Sequence, residues 1–321
     1  MNFKVIGVGE VLWDLLESGP QMGGAPANFA YHAHALGAQS EVITRIGKDD
    51  LGREIIRRFE AMALPTGNVQ VDEVAPTGTA KVSLSAEGLA HFTIQENVAW
   101  DSLAATSDAL AAAGQADVIC YGSLAQRNAT SRSTIQRLIS SASAHALRVF
   151  DINLRQNYYS RELVERSLEL ANVLKLNDDE LPTVAAMFNL ADRSGSHAIE
   201  HQIEELARRF GLLVVALTRG PRGSLLFQQG RWSDCQSRPV QVVDTVGAGD
   251  SFTAALILGL LKRMDLDEIN GLANDVARYV CSQAGATPPM PPEFAERLRT
   301  ARESLAREKT SHQSSSRHRQ G

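Results

Sequence analysis

The sequence predicts an α/β protein with a doubly wound, mostly parallel sheet flanked by helices. Short apolar runs alternate with helical stretches along most of the chain, and neighbouring parallel strands need such crossover helices between them. A sheet built this way is covered on both faces. Strands are expected near 3–8, 41–46, 117–121, 148–152, 173–176 and 213–217, and helices near 26–36 and 51–63.

One segment departs from this rhythm. Residues 79–95 read TAKVSLSAEGLAHFTIQ, with two alternating runs around the turn-like SAEG, which predicts a β-hairpin. Its strands could form a small sheet over the carboxyl ends of the core strands, where ligands bind in open α/β folds. An ordinary edge hairpin fits the same spacing, so both interpretations stay open.

Composition and charge exclude several kinds of partner. The formal net charge of -5 provides no positive field for a nucleic acid or an anionic membrane. The apolar stretch at 254–261 is much shorter than the roughly 20 residues of a membrane-spanning helix. The N-terminus lacks the features of a secretory signal, and the three cysteines lack CxxC spacing. A cytoplasmic protein with reduced cysteines is expected.

One folded domain is predicted over residues 1–308, with the strands of a small sheet within about 10–24 and 76–100. The remaining residues, 309–321, read KTSHQSSSRHRQG. They are polar, serine-rich and basic, and such a segment cannot bury enough apolar surface to fold. A disordered tail is therefore expected there.

The most informative stretch is DTVGAGDSF at residues 244–252, directly before the helical run TAALILGLLK. Gly247, Ala248 and Gly249 leave backbone N–H groups uncovered at a helix N-terminus, where unpaired donors and the helix dipole favour an anion. Asp250 falls in the first turn beside this predicted cradle. It could accept a proton from an attacking hydroxyl, or it could be an acidic first-turn residue stabilised by the helix dipole.

DTVGAGDSF resembles the C-terminal signature of the ribokinase-like (PfkB-type) carbohydrate kinases, in which the final Asp is the catalytic base. GGAPANFAYHAHALG, residues 23–37, resembles the N-terminal sugar-binding signature of the same family. The resemblance covers about residues 3 to 300. It implies a ribokinase-like fold with a β-sheet lid and an ATP-dependent phosphotransferase that acts on a sugar hydroxyl. It also implies Mg²⁺, and in several relatives K⁺, together with a homodimer formed through the lid.

The resemblance assigns a first group of residues to the sugar. Gly23 and Gly24 would let hydroxyls approach the backbone, and Asn28 offers both a donor and an acceptor. Asp14, in EVLWDLL, matches the family's early acidic residue that holds sugar hydroxyls. By periodicity alone, Asp14 is a loop residue and Asn28 lies on a helix surface.

The stretch FDINLR at 150–155 resembles the DxNxR motif of related sugar kinases. Asp151, Asn153 and Arg155 are therefore expected to shape the sugar and phosphate site. These alternate positions share one face if the chain stays extended. A structural ion pair between Arg155 and Asp151 is the open alternative.

The stretch LNDDE at 176–180 resembles the family's NxxE motif, with Asn177 and Glu180 in register. Asn177 would then face ATP, and Glu180 would hold Mg²⁺ through water, because Mg²⁺ prefers oxygen ligands and keeps several waters. A helix N-cap at Asn177, followed by acids that favour the helix dipole, fits the same letters.

Further residues are assigned to the nucleotide and to a cation. TRGPRG at 218–223 resembles the loop that receives ATP phosphates and ribose, which implicates Thr218, Gly220 and Gly223. Asn274 corresponds by position to the region that lines adenine and ribose. Asp244 corresponds to a monovalent-cation site in several relatives.

Fructose is the expected substrate, because PTGTAKVSL, FTIQENVAWD and FDINLRQNYYS look like the corresponding stretches of bacterial fructokinases. Ribose, 2-keto-3-deoxygluconate and a nucleoside stay open, as does a non-catalytic sugar-binding regulatory protein on the same fold. A nicotinamide oxidoreductase would share the α/β rhythm, but Leu12 stands where the dinucleotide fingerprint needs its third glycine. No Walker loop is present either.

Overall fold

The computed structural model describes residues 2–16, 19–84, 90–190 and 197–301. In chain order the strands are β1 (Lys4–Val8), β2 (Leu12–Leu16), β3 (Gly19–Gly23), β4 (Gln39–Gly47), β5 (Val69–Asp72), β6 (Gly78–Leu84), β7 (Ala90–Ile94), β8 (Val118–Tyr121), β9 (Leu147–Asp151), β10 (Val173–Asn177), β11 (Val214–Thr218), β12 (Ser224–Gln228) and β13 (Arg231–Cys235). The α-helices are α1 (Ala25–Ala35), α2 (Asp50–Ala61), α3 (Ser107–Gln115), α4 (Ala129–Ser141), α5 (Arg161–Leu170), α6 (Glu180–Met187), α7 (Ala198–Phe210), α8 (Ala248–Leu261) and α9 (Leu266–Cys281). Residues 292–301 are also helical. The predicted tail, 309–321, lies outside the described residues.

A nine-stranded sheet forms the centre of the molecule, in the order β13-β12-β11-β10-β9-β8-β1-β4-β5. The strands from β11 to β5 in this order run parallel, and β12 and β13 add an antiparallel edge. Both faces are buried: Val5 of β1 packs in the cluster that contains Phe252 of α8, whereas Ile6 packs in the cluster that contains Ile135 of α4. This arrangement confirms the predicted doubly wound fold.

The predicted strands and helices of the core are all present, with ends that differ from the expected ones by at most three residues. The strands were predictable because parallel strands buried on both faces are short continuous apolar runs. None of the helices in the described ranges combines the length and the apolar character that a membrane span requires.

The predicted hairpin belongs to a second sheet, which we call the small sheet, with strand order β3-β2-β6-β7. β6 and β7 pair antiparallel, with Ala80 opposite Ile94, and β2 pairs parallel to β6. The hairpin is therefore separate from the edge of the large sheet. β2 follows β1 after a connection of residues 9–11, so the small sheet begins at the carboxyl end of a central strand.

Arg127 fastens the end of the small sheet to the core. Its Nε and Nη2 donate to the two carboxylate oxygens of Asp101, each at 2.8 Å, and Nη2 also donates to the carbonyl oxygen of Gln95, just after β7. The guanidinium stacks 4.0 Å from the ring centroid of Trp100. Only 6% of each side chain of the Arg127–Asp101 pair is exposed, so this is an interior ion pair.

Candidate active site

The N-terminus of α8 forms a cradle of backbone N–H groups, as the small residues before it predict. Gly247 is the N-cap residue with φ +79°, and a Cβ there would lie 2.3 Å from the carbonyl oxygen of Ala286. Within the described residues, the amides of Gly247, Gly249 and Asp250 have no hydrogen-bond partner. These three amides can therefore bind an anion.

Ala248 corrects one part of that prediction. Its N–H donates to the carbonyl oxygen of Thr245 at 3.3 Å, because the left-handed Gly247 closes a tight turn over residues 245–248 before the helix begins. The Ala248 amide is therefore engaged within the turn, whereas sequence reasoning had left it uncovered.

Asp250 lies in the first turn of α8, as predicted, and is 8% exposed. Its Oδ2 accepts a hydrogen bond from Nδ2 of Asn28 at 2.8 Å. Burial, reinforced by the charge of Asp151, raises the pKa of Asp250 to about 6, against the Asn28 hydrogen bond and the charges of Lys175 and Arg155. A carboxylate with this pKa is ionised at neutral pH and can accept a proton.

Asn28 is buried at 3% exposure on α1, which contradicts its reading as a helix-surface residue. Its side-chain oxygen Oδ1 has no hydrogen-bond partner in the described part of the chain. A buried polar atom without a partner is rare in proteins and is satisfied when a ligand supplies the missing donor. The residue thus orients Asp250 with one end of its amide and offers an acceptor with the other.

Asp14, Gly23 and Gly24 lie together at the junction of the small sheet and α1. Asp14 lies on β2 and not in a loop. A Cβ at Gly23 would lie 2.7 Å from Oδ2 of Asp14. Gly24 has φ +114°, and a Cβ there would lie 2.5 Å from the carbonyl oxygen of Glu10. Burial raises the pKa of Asp14 to about 6, although the charge of Arg155 opposes the rise.

The DxNxR stretch does not stay extended, so the condition under which its three side chains would share one face is not met. Asn153 has φ +41°, which turns the chain after β9. Asp151 points into the interior, where it contacts Lys175 and Thr253, and the alternative pairing of Asp151 with Arg155 is absent among the described ion pairs. Arg155 is exposed, and its charge acts on Asp14 and Asp250.

Asn177 and Glu180 form a reciprocal cap at the start of α6. The Asn177 side-chain oxygen accepts from the amides of Asp179 and Glu180, and Glu180 Oε2 accepts from the amide of Asn177 at 2.8 Å. Glu180 Oε1 accepts from the amide of Leu154 at 3.0 Å. Because both carboxylate oxygens already accept an amide, the residue suits contact with Mg²⁺ through water better than direct ligation.

The TRGPRG loop begins at Thr218, the last residue of β11, so it lies at the carboxyl end of the sheet. Gly220 has φ +55° and open space where a Cβ would stand. Gly223 has φ +88°, and a Cβ there would lie 1.9 Å from the carbonyl oxygen of Cys235. The packing of β13 therefore demands glycine at 223, whether or not a nucleotide approaches.

Asn274 and Asp244 lie beside these elements. Asn274 donates to Ser224 Oγ at 2.6 Å and lines a cavity together with Arg238. The two carboxylate oxygens of Asp244 accept from the amides of Val246 at 3.0 Å and Gly285 at 3.1 Å. In the described part of the chain, no three His, Cys, Asp or Glu side chains are grouped to hold a metal ion.

Sequence reasoning missed two charged residues of this region. Glu10 lies two residues after β1 and is 4% exposed, and its Oε2 has no partner among the described residues. Burial raises its pKa to about 7. Lys175 is 3% exposed within β10. Their signals were present, because Glu10 follows a central strand at its carboxyl end and Lys175 interrupts an apolar run.

Residues 18–293 match the family model of the pfkB family carbohydrate kinases. The chain belongs to this family. A fructokinase of Klebsiella pneumoniae is 32% identical over 289 residues, which cover 86% of this chain and 91% of that protein. This pfkB-family kinase is therefore an enzyme, a phosphotransferase with an alcohol group as acceptor.

Solved structures share the fold of this pfkB-family kinase. An uncharacterised sugar kinase from Pyrococcus horikoshii, in complex with ATP, superimposes with a TM-score of 0.77 at 27% identity and covers 92% of this chain and 99% of its own. A fructokinase from Vibrio cholerae, with fructose, ADP and calcium bound, has a TM-score of 0.75 at 23% identity and covers 92% of this chain and 99% of its own. These similarities confirm the expected ribokinase-like fold.

Proposed function

We propose that this carbohydrate kinase transfers the γ-phosphoryl group of ATP to a primary hydroxyl of a ketose, with fructose as its substrate. The observation that carries the proposal is a buried carboxylate beside an anion cradle: Asp250 accepts a hydrogen bond from Asn28 at 2.8 Å and lies in the helix turn where, among the described residues, the amides of Gly247, Gly249 and Asp250 have no partner. The name of the Klebsiella pneumoniae relative supports fructose as the sugar.

In the proposed reaction Asp250 accepts the proton of the attacking hydroxyl. The sugar oxygen then forms a bond to the γ-phosphorus of ATP, the bond from that phosphorus to the β,γ-bridging oxygen breaks, and ADP leaves. The amides of Gly247, Gly249 and Asp250 stabilise negative charge on the transferring group. Because the protein does little covalent chemistry, positioning supplies much of the rate enhancement.

The residues present fit the expected cations Mg²⁺ and K⁺, with contact to Mg²⁺ through water. Glu180 would hold Mg²⁺ through water, and Mg²⁺ there would neutralise charge on ATP oxygens, while Asn177 would face ATP. Asp244, with its carboxylate already oriented by two amides, would face K⁺ together with carbonyl oxygens. ATP would lie along the TRGPRG loop towards Asn274.

The unpaired polar atoms of the site favour a ligand rich in hydroxyl groups. Within the described residues, Glu10 Oε2 and Asn28 Oδ1 lack a donor, and Asn153 Nδ2 lacks an acceptor. A sugar hydroxyl both donates and accepts, so hydroxyl groups suit both kinds of unpaired atom. We further propose that the small sheet covers the sugar, excludes water from the transfer, and forms a homodimer contact.

The first prediction concerns the substrate. In an assay that couples ADP release to NADH oxidation, we expect turnover with fructose at a higher kcat/KM than with ribose, 2-keto-3-deoxygluconate or a nucleoside. ATP without sugar is the control, and it should give less than about 1% of the fructose rate if water is excluded. ADP release with none of the sugars would instead favour the non-catalytic sugar-binding protein.

The second prediction concerns pH. Since Asp250 has a raised pKa of about 6 and acts in its ionised form, kcat/KM for the sugar should fall as the pH drops through about 6. Activity should be fully present above that pKa. The measurement is a profile between pH 5 and 8 on enzyme that is shown to stay folded at each pH, and a flat profile would contradict the assignment.

A further inference from the structure

Lys175 is a buried cation in the middle of β10, and its partner lies on the neighbouring strand. Its Nζ donates to Asp151 Oδ1 at 3.0 Å, and the two residues are opposite each other in the register of β9 and β10. The side chains are 4% and 5% exposed. A buried ion pair seldom adds stability over an apolar pair of similar volume, so its presence calls for another role.

The pair lies directly beneath the anion cradle. A Cβ at Gly249 would lie 2.9 Å from Lys175 Nζ, so the missing side chain of Gly249 leaves room for the ammonium under the first turn of α8. On the other side, Asp151 Oδ2 accepts from Thr253 Oγ1 at 2.8 Å. Thr253 belongs to the next turn of α8, and its Oγ1 also lies 3.0 Å from the carbonyl oxygen of Gly249. Asp151 and Lys175 thus contact the two turns that hold the cradle.

Lys175 also faces more negative charge than its own partner supplies. Burial lowers its pKa, but the charges of Asp151, Glu180 and Asp250 together outweigh burial and raise the pKa above its ordinary value. The ammonium therefore stays protonated between pH 5 and 8. Buried charges are screened little by salt, so its field reaches the cradle.

Several groups act on Asp250 from the elements packed around it. They are Asn28 on α1, Asp151 on β9, Lys175 on β10, Arg155 in the turn after β9, Glu10 after β1, and Cys120 on β8. Burial raises the pKa of the Cys120 thiol well above its ordinary value, so it stays neutral. Of the groups on the sheet strands, Asp151 and Lys175 act on Asp250 in opposite directions.

We propose that the Asp151–Lys175 pair is a positioning device for the reaction: the ammonium beneath Gly249 adds a fixed positive charge to the amide cradle and keeps Asp250 anionic, while Asp151 anchors the helix through Thr253. Lys175 would thus stabilise a bound phosphate by its charge from beneath the cradle, without contacting the phosphate at the surface. The inference rests on the proposed function of Asp250 as the general base. A purely structural ion pair is the competing explanation.

The test is a double-mutant cycle, and its readout is the pH profile of kcat/KM. The acid limb is the part of this profile in which kcat/KM falls as the pH drops through the pKa of Asp250. A purely structural role of the pair would change stability but would leave the position of this limb unchanged. Lys175→Met is expected to move the limb upward by about one pH unit, because the charge that favours ionised Asp250 is gone. Asp151→Asn should move it downward, because a like charge is removed. In the double variant the limb should lie close to its wild-type position, and kcat should be higher than in either single variant.

Gly249→Ala is the second variant, in case Lys175→Met does not fold. It deletes neither charge but places a methyl group where the ammonium lies, so we expect a smaller upward movement of the limb and at least a tenfold loss of kcat. Circular dichroism and thermal unfolding establish which variants are folded. An unmoved acid limb in the folded variants would overturn the proposal.

Asp250→Asn, assayed in parallel, separates the two levels of inference. If this variant is inactive while the limb of the Lys175 and Gly249 variants is unmoved, the positioning role is wrong and the general base stands. If Asp250→Asn keeps near wild-type activity, the proposed function itself is wrong.

Discussion

Asp250→Asn is expected to lower kcat with fructose by at least about a thousandfold, which is within the range that a general base contributes. Asparagine keeps the size of the side chain and can still accept the hydrogen bond from Asn28, but it cannot take a proton from the sugar hydroxyl. Substrate binding should persist, so calorimetric affinities for ATP and sugar should change by less than about tenfold. The measurement is kcat from the coupled assay at saturating substrates.

Asp267→Asn is the matched control for this variant. Asp267 is an exposed acidic residue in the first turn of α9, so it occupies in that helix the kind of position that Asp250 occupies in α8. If the acid in α8 were there only for the helix dipole, both replacements should leave kcat nearly unchanged. We expect Asp267→Asn to stay within about twofold of wild type, in contrast to Asp250→Asn.

Arg127→Met is expected to lower the free energy of unfolding by about 3–5 kcal/mol, because it leaves the Asp101 carboxylate buried without its partner. Methionine keeps an unbranched apolar side chain of similar length, so the loss reports the missing guanidinium: its charge, its hydrogen bonds and its stacking on Trp100. The bond to the Gln95 carbonyl is lost as well, which should loosen the end of the small sheet. The urea midpoint at pH 7, with the slope checked for constancy, measures the change.

The control is Arg166→Met, which breaks the Arg166–Glu169 pair, whose side chains are about half exposed. Exposed pairs of this kind contribute little, so we expect a change within about 0.5 kcal/mol. Equal shifts of the urea midpoint in the two variants would contradict the prediction, because breaking the buried Arg127–Asp101 pair would then destabilise the protein no more than breaking an exposed pair.

The small residues before α8 illustrate how far a sequence alone can be read. The uncovered amides at Gly247 and Gly249 were predictable, because an amide-exposing turn before an apolar helix is a local feature. The engagement of the Ala248 amide by Thr245 and the ammonium beneath Gly249 were not predictable. They depend on a turn angle and on a strand about 70 residues earlier in the chain.

The polar residues after the strands show the same limit. Asp151, Asn153 and Arg155 would share one face of an extended chain, but Asn153 has a positive φ; Asp151 is buried at the end of β9 and Arg155 is exposed. Glu10 and Lys175 belong to no recognised motif. The signals they carried, a place after a central strand and a charge within an apolar run, gain meaning only from their burial beside Asp250 and Asp151. The unpaired atoms of Glu10 and Asn28 are likewise a property of packing that no spacing reveals.

By itself, the amino-acid order determined the alternation of strands and helices, the hairpin, the glycine turn before α8 and the place of Asp250 within it, because each depends on residues near one another in the chain. Only the tertiary structure decided which charges meet. Asn28 and Asp250 are separated by 222 positions, and whether a carboxylate is paired, buried or left with an open lone pair depends on contacts between distant segments that burial makes strong.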